Sequence, residues 1–599
     1  MAGHNVLEAV LNYPKLSARL QDRPADRERV GKLVQEIHGD FSPTVVRSAA
    51  KFLETTFMRL YDGVNLEIPD GLEMEKLREK NHIVLVPNHQ SHADYIALTY
   101  IIFRSFNLPL YVAAGINLNI FPIGDFFRKA GAFFIRRSFN ADVLYKLTFE
   151  AYIHHLLEQG HMVEFFFEGG RTRTGKLMKP RFGLFQMLLE AHGQLVNPRP
   201  LMFIPVALAH EYIPEAQAHA RELGGAKKEK ENPTQLLKLF KLFNKRLGTI
   251  HVNFGQPIVV EGCPPADVKK VSQEVAFDCF RAVGKRMPVT PSSLLALILL
   301  DEPGGALTWR QIEDKAREII DYCLHLKIPV TESLQNGRLD DSLRSALDLF
   351  LANKKIEVIR RERLNQVFYA VKTDARVELL YHKNMILHHF LVPAFINAAW
   401  FNIFNGQIKD SMALTRFLQH QRKELKYEFY LPTVKEMVQH AHDIVSYALG
   451  RPLEQLDEAL RFSPNELFQL ASKVRHFSTA FSYLYEAYYL AAISAKYLVN
   501  EQFNGERFLQ VAQELFELEL QHGRVVKYPE AYTTPILRDT LDYMENQKAL
   551  ERVDGGKYQV VDAAKVDALI EKFLRDLNDQ VAINLKFNRE RPGGAESSP

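Results

Sequence analysis

The chain predicts an α/β protein: a mostly buried sheet flanked by helices, with a helical segment before it and a large helical domain after it. Three observations carry this. Short apolar runs alternate with helical stretches between about residues 64 and 262. Past Pro264-Pro265 the strand-like runs nearly stop and helical periodicity takes over. And 599 residues, 47% hydrophobic and 25% charged, supply enough apolar material for several domain-sized cores.

Residues 1–63 read as helical, with Val45, Ala49, Phe52, Leu53, Phe57 and Leu60 on one stripe. The α/β region, 64–262, opens on Val64–Ile68 and a Pro69-Asp70-Gly71 turn. Its further strands are Ile83–Pro87, Leu110–Ala114, Ala132–Ile135, Met162–Phe167, Leu201–Ala209 and Thr249–Phe254. Leu144–Glu158 and Phe182–Ala191 are among the helices between them. The third region, 266–587, is mainly helical, with periodic runs at Ser292–Leu300, Ile312–Leu324, Leu343–Leu351, Val434–Leu449 and Phe477–Leu498. Leu550–Val561 reads as a hairpin around Asp554-Gly555-Gly556, and 588–599 as a loose tail.

Bulk properties exclude several function classes. A net charge of +3 over this length gives no global attraction to nucleic acid, so anion binding must come from local clusters. Three cysteines, Cys263, Cys279 and Cys323, lack metal-ligand spacing and fit a reducing compartment. The N-terminus has no apolar run of the secretory kind. No stretch holds 18 uninterrupted apolar residues, so no membrane-spanning helix is expected. Met385–Phe404 comes nearest, broken by His388, His389 and Pro393. It reads either as a core helix or as a surface-lying one anchored by Trp400 and Phe401, and the N-terminal Val6, Leu7, Val10 and Leu11 are a second candidate membrane face.

The chemistry starts at Asn88-His89-Gln90-Ser91-His92-Ala93-Asp94. It follows the apolar run Ile83–Pro87 and precedes a helical run from Tyr95, so His89 sits at a strand-to-helix turn where open α/β sheets place ligands. A histidine beside a carboxylate is the minimal general base. Five residues turn an α-helix by about 500°, so the pair can meet only with His89 in the turn and Asp94 in the helix. A structural histidine, or a metal site using His92 as well, remains open, although the spacing fits no common metal motif.

The second site is Phe167-Glu168-Gly169-Gly170-Arg171-Thr172-Arg173-Thr174-Gly175-Lys176. With Lys179 and Arg181 it sets five cations within eleven residues, behind a buried strand. Glycines let backbone N–H groups approach a ligand and guanidinium groups fork onto phosphate. Gly170–Lys176 also matches seven positions of a P-loop, but Leu177 stands where magnesium needs Ser or Thr. A solvated basic loop is the plain alternative. Two further stretches are the strand ending in Arg136-Arg137 and Phe203-Ile204-Pro205-Val206, whose proline suggests an edge or a bend.

Together, in this order, the four stretches resemble the blocks of the glycerolipid acyltransferase superfamily: His-x4-Asp, Ile-Arg-Arg, Glu-Gly-x-Arg and a proline-containing strand. The likeness is nearest to the bacterial membrane-associated glycerol-3-phosphate acyltransferases and the dihydroxyacetone-phosphate acyltransferases. Ala113–Asn119, Lys227–Glu231, Val252–Pro257 and Val289–Leu294 are similar to further segments of those enzymes.

The resemblance implies that His89, oriented by Asp94, takes a proton from the acceptor hydroxyl, which attacks an acyl thioester directly. It implies that Arg136, Arg137, Glu168, Gly169, Gly170, Arg171, Arg173 and Lys176 hold the acceptor's phosphate, and that Ser91 and Pro205 shape the acyl-donor side. No cofactor and no metal are implied. The implied partners are glycerol 3-phosphate, acyl-CoA or acyl carrier protein, and a membrane surface, with no nucleic acid. The implied place is the cytoplasmic face of the inner membrane, held peripherally. Two departures stand out: Gln90 where an arginine is usual, which leans toward lysophosphatidate acyltransferases, and His210 where an aromatic is usual. A non-catalytic phospholipid-binding protein and a P-loop-like NTPase are the readings from other classes.

Overall fold

A computed structural model describes residues 2–136, 142–226, 246–302, 305–335, 337–429, 431–523, 525–526 and 528–589. Arg137 and the segment Lys227–Glu231 lie outside these, as does most of the expected tail. The described residues fall into two compact units. One takes residues within Met1–Thr172, Leu177–Glu215 and Glu229–Pro288. The other takes those within Arg173–Lys176, Ala216–Lys228 and Val289–Pro599. The contiguous division expected from the sequence therefore differs at three places. The N-terminal helices belong to the first unit, that unit continues past residue 262 through the helix Val268–Arg286, and two short insertions inside 64–262 belong to the second.

The first unit is built on one mixed sheet. Its strands are β1 (Gly63–Glu67), β2 (His82–Pro87), β3 (Leu110–Gly115), β4 (Ala132–Ile135), β5 (Met162–Glu164), β6 (Leu201–His210), β7 (Thr249–Phe254) and β8 (Ile258–Val260). The order is β1-β7-β6-β2-β5-β3-β4, with β8 also on β6. Strands β6, β2, β5, β3 and β4 are mutually parallel, and β7 and β8 run antiparallel to β6. Every residue of β2 and β6 is buried, as expected of parallel strands covered on both faces. From β2 the chain crosses to β3 beyond β5, and β5 and β6 later fill in on either side of β2. The carboxyl end of β2 is thus a topological switch point, the position where such sheets open a crevice.

Pro205 lies in the sheet interior, not at an edge. Its carbonyl accepts from Gly255 N–H at 2.8 Å, so its missing N–H faces the same side, at the break between β7, which starts pairing at Val206, and β8, which pairs only to Phe203. A proline is tolerated because no ladder partner stands there.

The N-terminal helices Ala2–Leu11 and Asp26–Ile37 pack on the helix Val143–Glu158. Val10 and Leu11 are buried, which removes them as a membrane face. The Tyr13 hydroxyl donates to Glu150 at 2.5 Å, and burial pushes that phenol well above its usual range.

The second unit is chiefly helical. At its start a capping box of Thr290 and Ser293 opens the wholly buried helix Pro291–Leu300. Among the described residues one stretch is long and apolar enough to cross a membrane, Thr373–Phe404, and its most apolar window is two-thirds buried within the protein. Trp400 and Phe401 are in its core, and Asn397 donates to the Val474 carbonyl at 2.6 Å, so the interfacial-anchor reading of those rings gives way to a core helix. The hairpin Leu550–Val553 with Lys557–Val560 forms around Asp554-Gly555-Gly556 as expected. A second hairpin, Ile356–Arg361 with Gln366–Val371, was not anticipated; its first strand carries charged Glu357, Arg360 and Arg361 and shows no regular alternation of buried and exposed residues, which hides it in a helical, charge-rich region.

Candidate active site

His89 leaves the end of β2, and Asp94 sits in the first turn of the helix Ala93–Phe106. His89 Nδ1–H donates to Asp94 Oδ2 at 2.8 Å. The same oxygen accepts backbone N–H groups from Gln90 at 2.5 Å and Ser91 at 2.9 Å. The turn wraps around the carboxylate, which is how five residues bring the two side chains together. With Nδ1 committed to Asp94, the lone pair available to a substrate is on Nε2. The ring stacks on Phe166, centroids 3.9 Å apart, and the side chain keeps 14% of its surface exposed, enough to reach a ligand.

Asp94 has no exposed surface. Burial alone would raise its carboxyl, but hydrogen bonds from His210 and His89 outweigh this and hold it well below the usual carboxylate range. His210, the last residue of β6, donates through Nε2–H to Asp94 Oδ1 at 2.6 Å. Both imidazoles aim an N–H donor at the carboxylate, an arrangement that spends one nitrogen of each on a hydrogen bond. Among the described residues no group of three or more His, Cys, Asp or Glu is arranged to hold a metal.

The glycine-rich loop braces His89. Glu168 Oε2 accepts His89 N–H at 3.0 Å, its Oε1 accepts Met178 N–H at 2.9 Å, and Thr172 N–H donates to the His89 carbonyl at 2.9 Å. Burial pushes the Glu168 carboxyl up to about 8, the two backbone donors offset part of that, and the Asp94 charge adds to it. Asn88 extends the brace to β6, its side chain bonding both the Leu208 N–H (2.7 Å) and the Leu208 carbonyl (3.0 Å).

A residue the sequence reading did not single out, Glu215, closes the other side. It accepts from Ser91 Oγ at 3.0 Å, from His92 N–H at 3.1 Å and from Arg171 at 3.3 Å. Its position five residues after His210, in the same stretch as Pro205, was the only signal for it.

The expected phosphate ligands separate. Arg171 stays in the first unit, buried beside Glu215. Arg173 and Lys176 belong to the second unit, where Arg173 pairs with Glu222 at 3.1 Å and contacts His219, and buried Lys176 pairs with Glu428 under the Phe429 ring. Gly175, at φ +82°, is required by packing: a Cβ there would lie 2.1 Å from the Tyr381 carbonyl oxygen. No helix begins until Gly183, so the Gly170–Lys176 run lacks the loop-to-helix form of a P-loop. Gly169 adopts φ +69°, and the Cβ position of Gly170 faces open space, leaving room for a ligand to approach the backbone.

Arg136 forks onto Glu36 at 2.6 and 2.7 Å, lies over the Tyr145 ring and reaches Asp142 at 3.4 Å. Its guanidinium is committed to those carboxylates. Glu168 is an acceptor of two N–H groups and offers nothing to an anion. Ser91 is buried with its hydroxyl on Glu215. The carboxamide of Gln90 is buried, and its Oε1 has no hydrogen-bond partner among the described residues.

His89, on a strand-to-helix turn at the switch point of the mixed sheet, lies within residues 72–209, and these match the family model described as Acyltransferase, which makes this an acyltransferase-type domain. The model described as Glycerol-3-phosphate acyltransferase C-terminal region matches residues 219–553, more than half of the chain. The chain belongs to the glycerol-3-phosphate acyltransferase family.

Curated relatives named glycerol-3-phosphate acyltransferase agree. The Haemophilus ducreyi protein is 30% identical over 457 residues, 72% of this chain and 54% of its own. The Actinobacillus pleuropneumoniae protein is 33% identical over 387 residues, 62% of this chain and 46% of its own. The Pseudomonas aeruginosa protein is 30% identical over 455 residues, 71% and 53% of the two chains. The chain thus spans about half the length of the curated relatives it matches.

Proposed function

We propose that the protein transfers a fatty acyl group from a thioester, acyl-CoA or acyl carrier protein, to the sn-1 hydroxyl of glycerol 3-phosphate, giving lysophosphatidate. The observation that carries this is the His89 ring, held by buried Asp94 through Nδ1 and left with Nε2 for a substrate hydroxyl. His89 Nε2 takes the hydroxyl proton as the oxygen attacks the thioester carbonyl. The tetrahedral intermediate collapses, the C–S bond breaks, and the proton passes from His89 to the departing thiolate. Asp94 stabilises the imidazolium formed in between.

Arg171, with Arg137 outside the described residues, is the cation we assign to the acceptor's phosphate, and the backbone at Gly169-Gly170 is its neighbour. Pro205 shapes the cleft only indirectly, by fixing β6 beside β2.

The product is a lipid, which calls for a membrane surface, and on that ground we assign the protein a peripheral seat on the cytoplasmic face of the inner membrane. We assign the contact to the connector after β3. Phe121 is 83% exposed, Ile120 and Phe126 are also exposed, and β3 ends on the same edge of the sheet as β2. The deciding experiment incubates purified protein with glycerol 3-phosphate, dihydroxyacetone phosphate or lysophosphatidate against each labelled donor and identifies the lipid. Formation of 1-acylglycerol 3-phosphate supports the reading; product with no acceptor in any combination sinks it.

A further inference from the structure

Asp94 serves two histidines, and only one of them can meet a substrate. His89 occupies Oδ2 together with two backbone N–H groups, while His210 alone occupies Oδ1. His210 comes from the far end of β6, has no exposed surface, and its Nδ1 finds no hydrogen-bond partner among the described residues. A buried imidazole with one nitrogen idle is costly unless its other bond is needed.

We propose that His210 is a positioning residue of the base: it fixes the plane of the Asp94 carboxylate and satisfies the oxygen that His89 cannot reach. This rests on the acyltransferase reading above for its catalytic consequence, though not for the coupling itself.

The argument is geometric. Without His210, Oδ1 of Asp94 would be buried with no donor recorded to it. A carboxylate in that state either rotates, losing some of the three donors on Oδ2, or takes up a proton. Either change releases His89 Nδ1 from its acceptor, and the imidazole is then free to adopt the tautomer that places N–H, not a lone pair, toward the substrate. The other titratable groups facing this cluster are carboxyls and a phenol. Glu164 on β5 and Glu168 after it are buried and raised by burial, and Tyr61, its ring tilted with its centroid 6.3 Å from that of His210, is raised by burial and by the charges of Glu215 and Asp94. None of these is a cation that could replace His210 as the donor to Oδ1.

A phenyl ring at position 210 could fill the space of the imidazole and donate nothing.

The test uses the full chain and three forms: wild type, His210→Phe and His210→Gln. In His210→Phe, kcat is expected to fall roughly tenfold to a hundredfold, with the acceptor KM within about twofold. The acidic limb of kcat/KM should move up by about one pH unit, because an Asp94 carboxylate with one donor fewer draws more strongly on the proton that the His89–Asp94 pair takes up. His210→Gln, whose amide N–H can reach Oδ1, should recover most of both. Independently of turnover, proton NMR of histidine-labelled protein should show two low-field imidazole N–H signals. His210→Phe should remove one and shift the other, which His89→Ala identifies as that of His89.

If a thermally intact His210→Phe protein keeps the wild-type kcat and pH profile, or if the His89 signal does not move, the proposal is wrong. If wild type transfers no acyl group to any acceptor, the functional reading fails, and the NMR coupling alone then decides the proposal.

Discussion

Glu168 holds His89 by the backbone: the glutamate Oε2 accepts the histidine N–H at 3.0 Å, and Oε1 accepts Met178 N–H at 2.9 Å. The acidic residue of the glycine-rich loop is thereby a clamp between two loops. Glu168→Gln should be harmful despite its equal size, since an amide has one acceptor oxygen and must set its NH2 against an N–H. Loss of roughly 1–3 kcal/mol of stability is expected, measured by denaturant unfolding, along with reduced kcat. An unchanged unfolding midpoint would show that the clamp is dispensable.

His89→Ala should remove acyl transfer to background. Asp94→Asn keeps the shape but can present an oxygen to only some of the donors around it, and kcat should drop by roughly 10³–10⁴-fold. Rate assays with acceptor and thioester both saturating separate these effects from binding. The Asp94 carboxylate also has a pH signature. Its folded value lies below the unfolded one, so the stability it contributes is full above the ordinary aspartate range and is lost as pH falls through the folded value. Asp94→Asn should flatten that acid limb of an unfolding-versus-pH curve.

The sequence made the His89–Asp94 pair legible because its two members are five residues apart and only one backbone geometry joins them. It made β2, β3, β4 and β6 legible because their apolar runs are continuous. It could not show what cancels a charge. Arg136 meets Glu36 a hundred residues upstream, and Lys176, one of the five cations read as a phosphate cradle, meets Glu428 far downstream, so both are already neutralised elsewhere in the fold. The same distance hid His210 and Glu215 as partners of Asp94 and Ser91. Of the two readings of Pro205, an edge or a bend, the edge fails because the break between β7 and β8 that accommodates the proline is a property of the pairing, not of its own strand.

Arg171 and Glu215 give a test of acceptor binding. Arg171→Lys keeps a charge but loses the guanidinium's bond to Glu215 and its capacity to fork onto a phosphate, so the KM for glycerol 3-phosphate should rise about tenfold with little change toward the thioester. Glu215→Gln should disturb kcat as well, because the same carboxylate holds the Ser91 hydroxyl and the His92 N–H that follow the base. Equal effects on both substrates' KM values would argue against a phosphate role for Arg171.

Glu164 is the least economical residue in the sheet. It is fully buried in β5, neither carboxyl oxygen has a hydrogen-bond partner among the described residues, and burial with the nearby Asp94 charge holds its carboxyl well above the usual range. The unfolded chain ionises this group from the ordinary glutamate range upward while the folded chain does not, so the native state loses stability as pH rises from there. Glu164→Met should stabilise the protein by about 1–3 kcal/mol at neutral pH. The gain should be smaller at pH 4 than at pH 8, read as the difference in Tm between variant and wild type at each pH. A gain independent of pH would mean that the carboxyl is hydrated in solution.

Phe121 tests the membrane assignment. An aromatic ring left 83% exposed, next to exposed Ile120 and five residues before exposed Phe126, loses free energy in water that a lipid interface returns. The exposed cationic Lys129 that follows is suited to anionic headgroups. Phe121→Glu should lower partitioning onto vesicles containing phosphatidylglycerol by roughly tenfold, because it removes apolar contact and adds a charge that those lipids repel. Turnover with a short-chain thioester in detergent should stay near wild type, since the base lies on a different connector. If sedimentation with vesicles is unaffected while Phe126→Glu and Ile120→Glu are equally silent, the membrane meets another face of the protein.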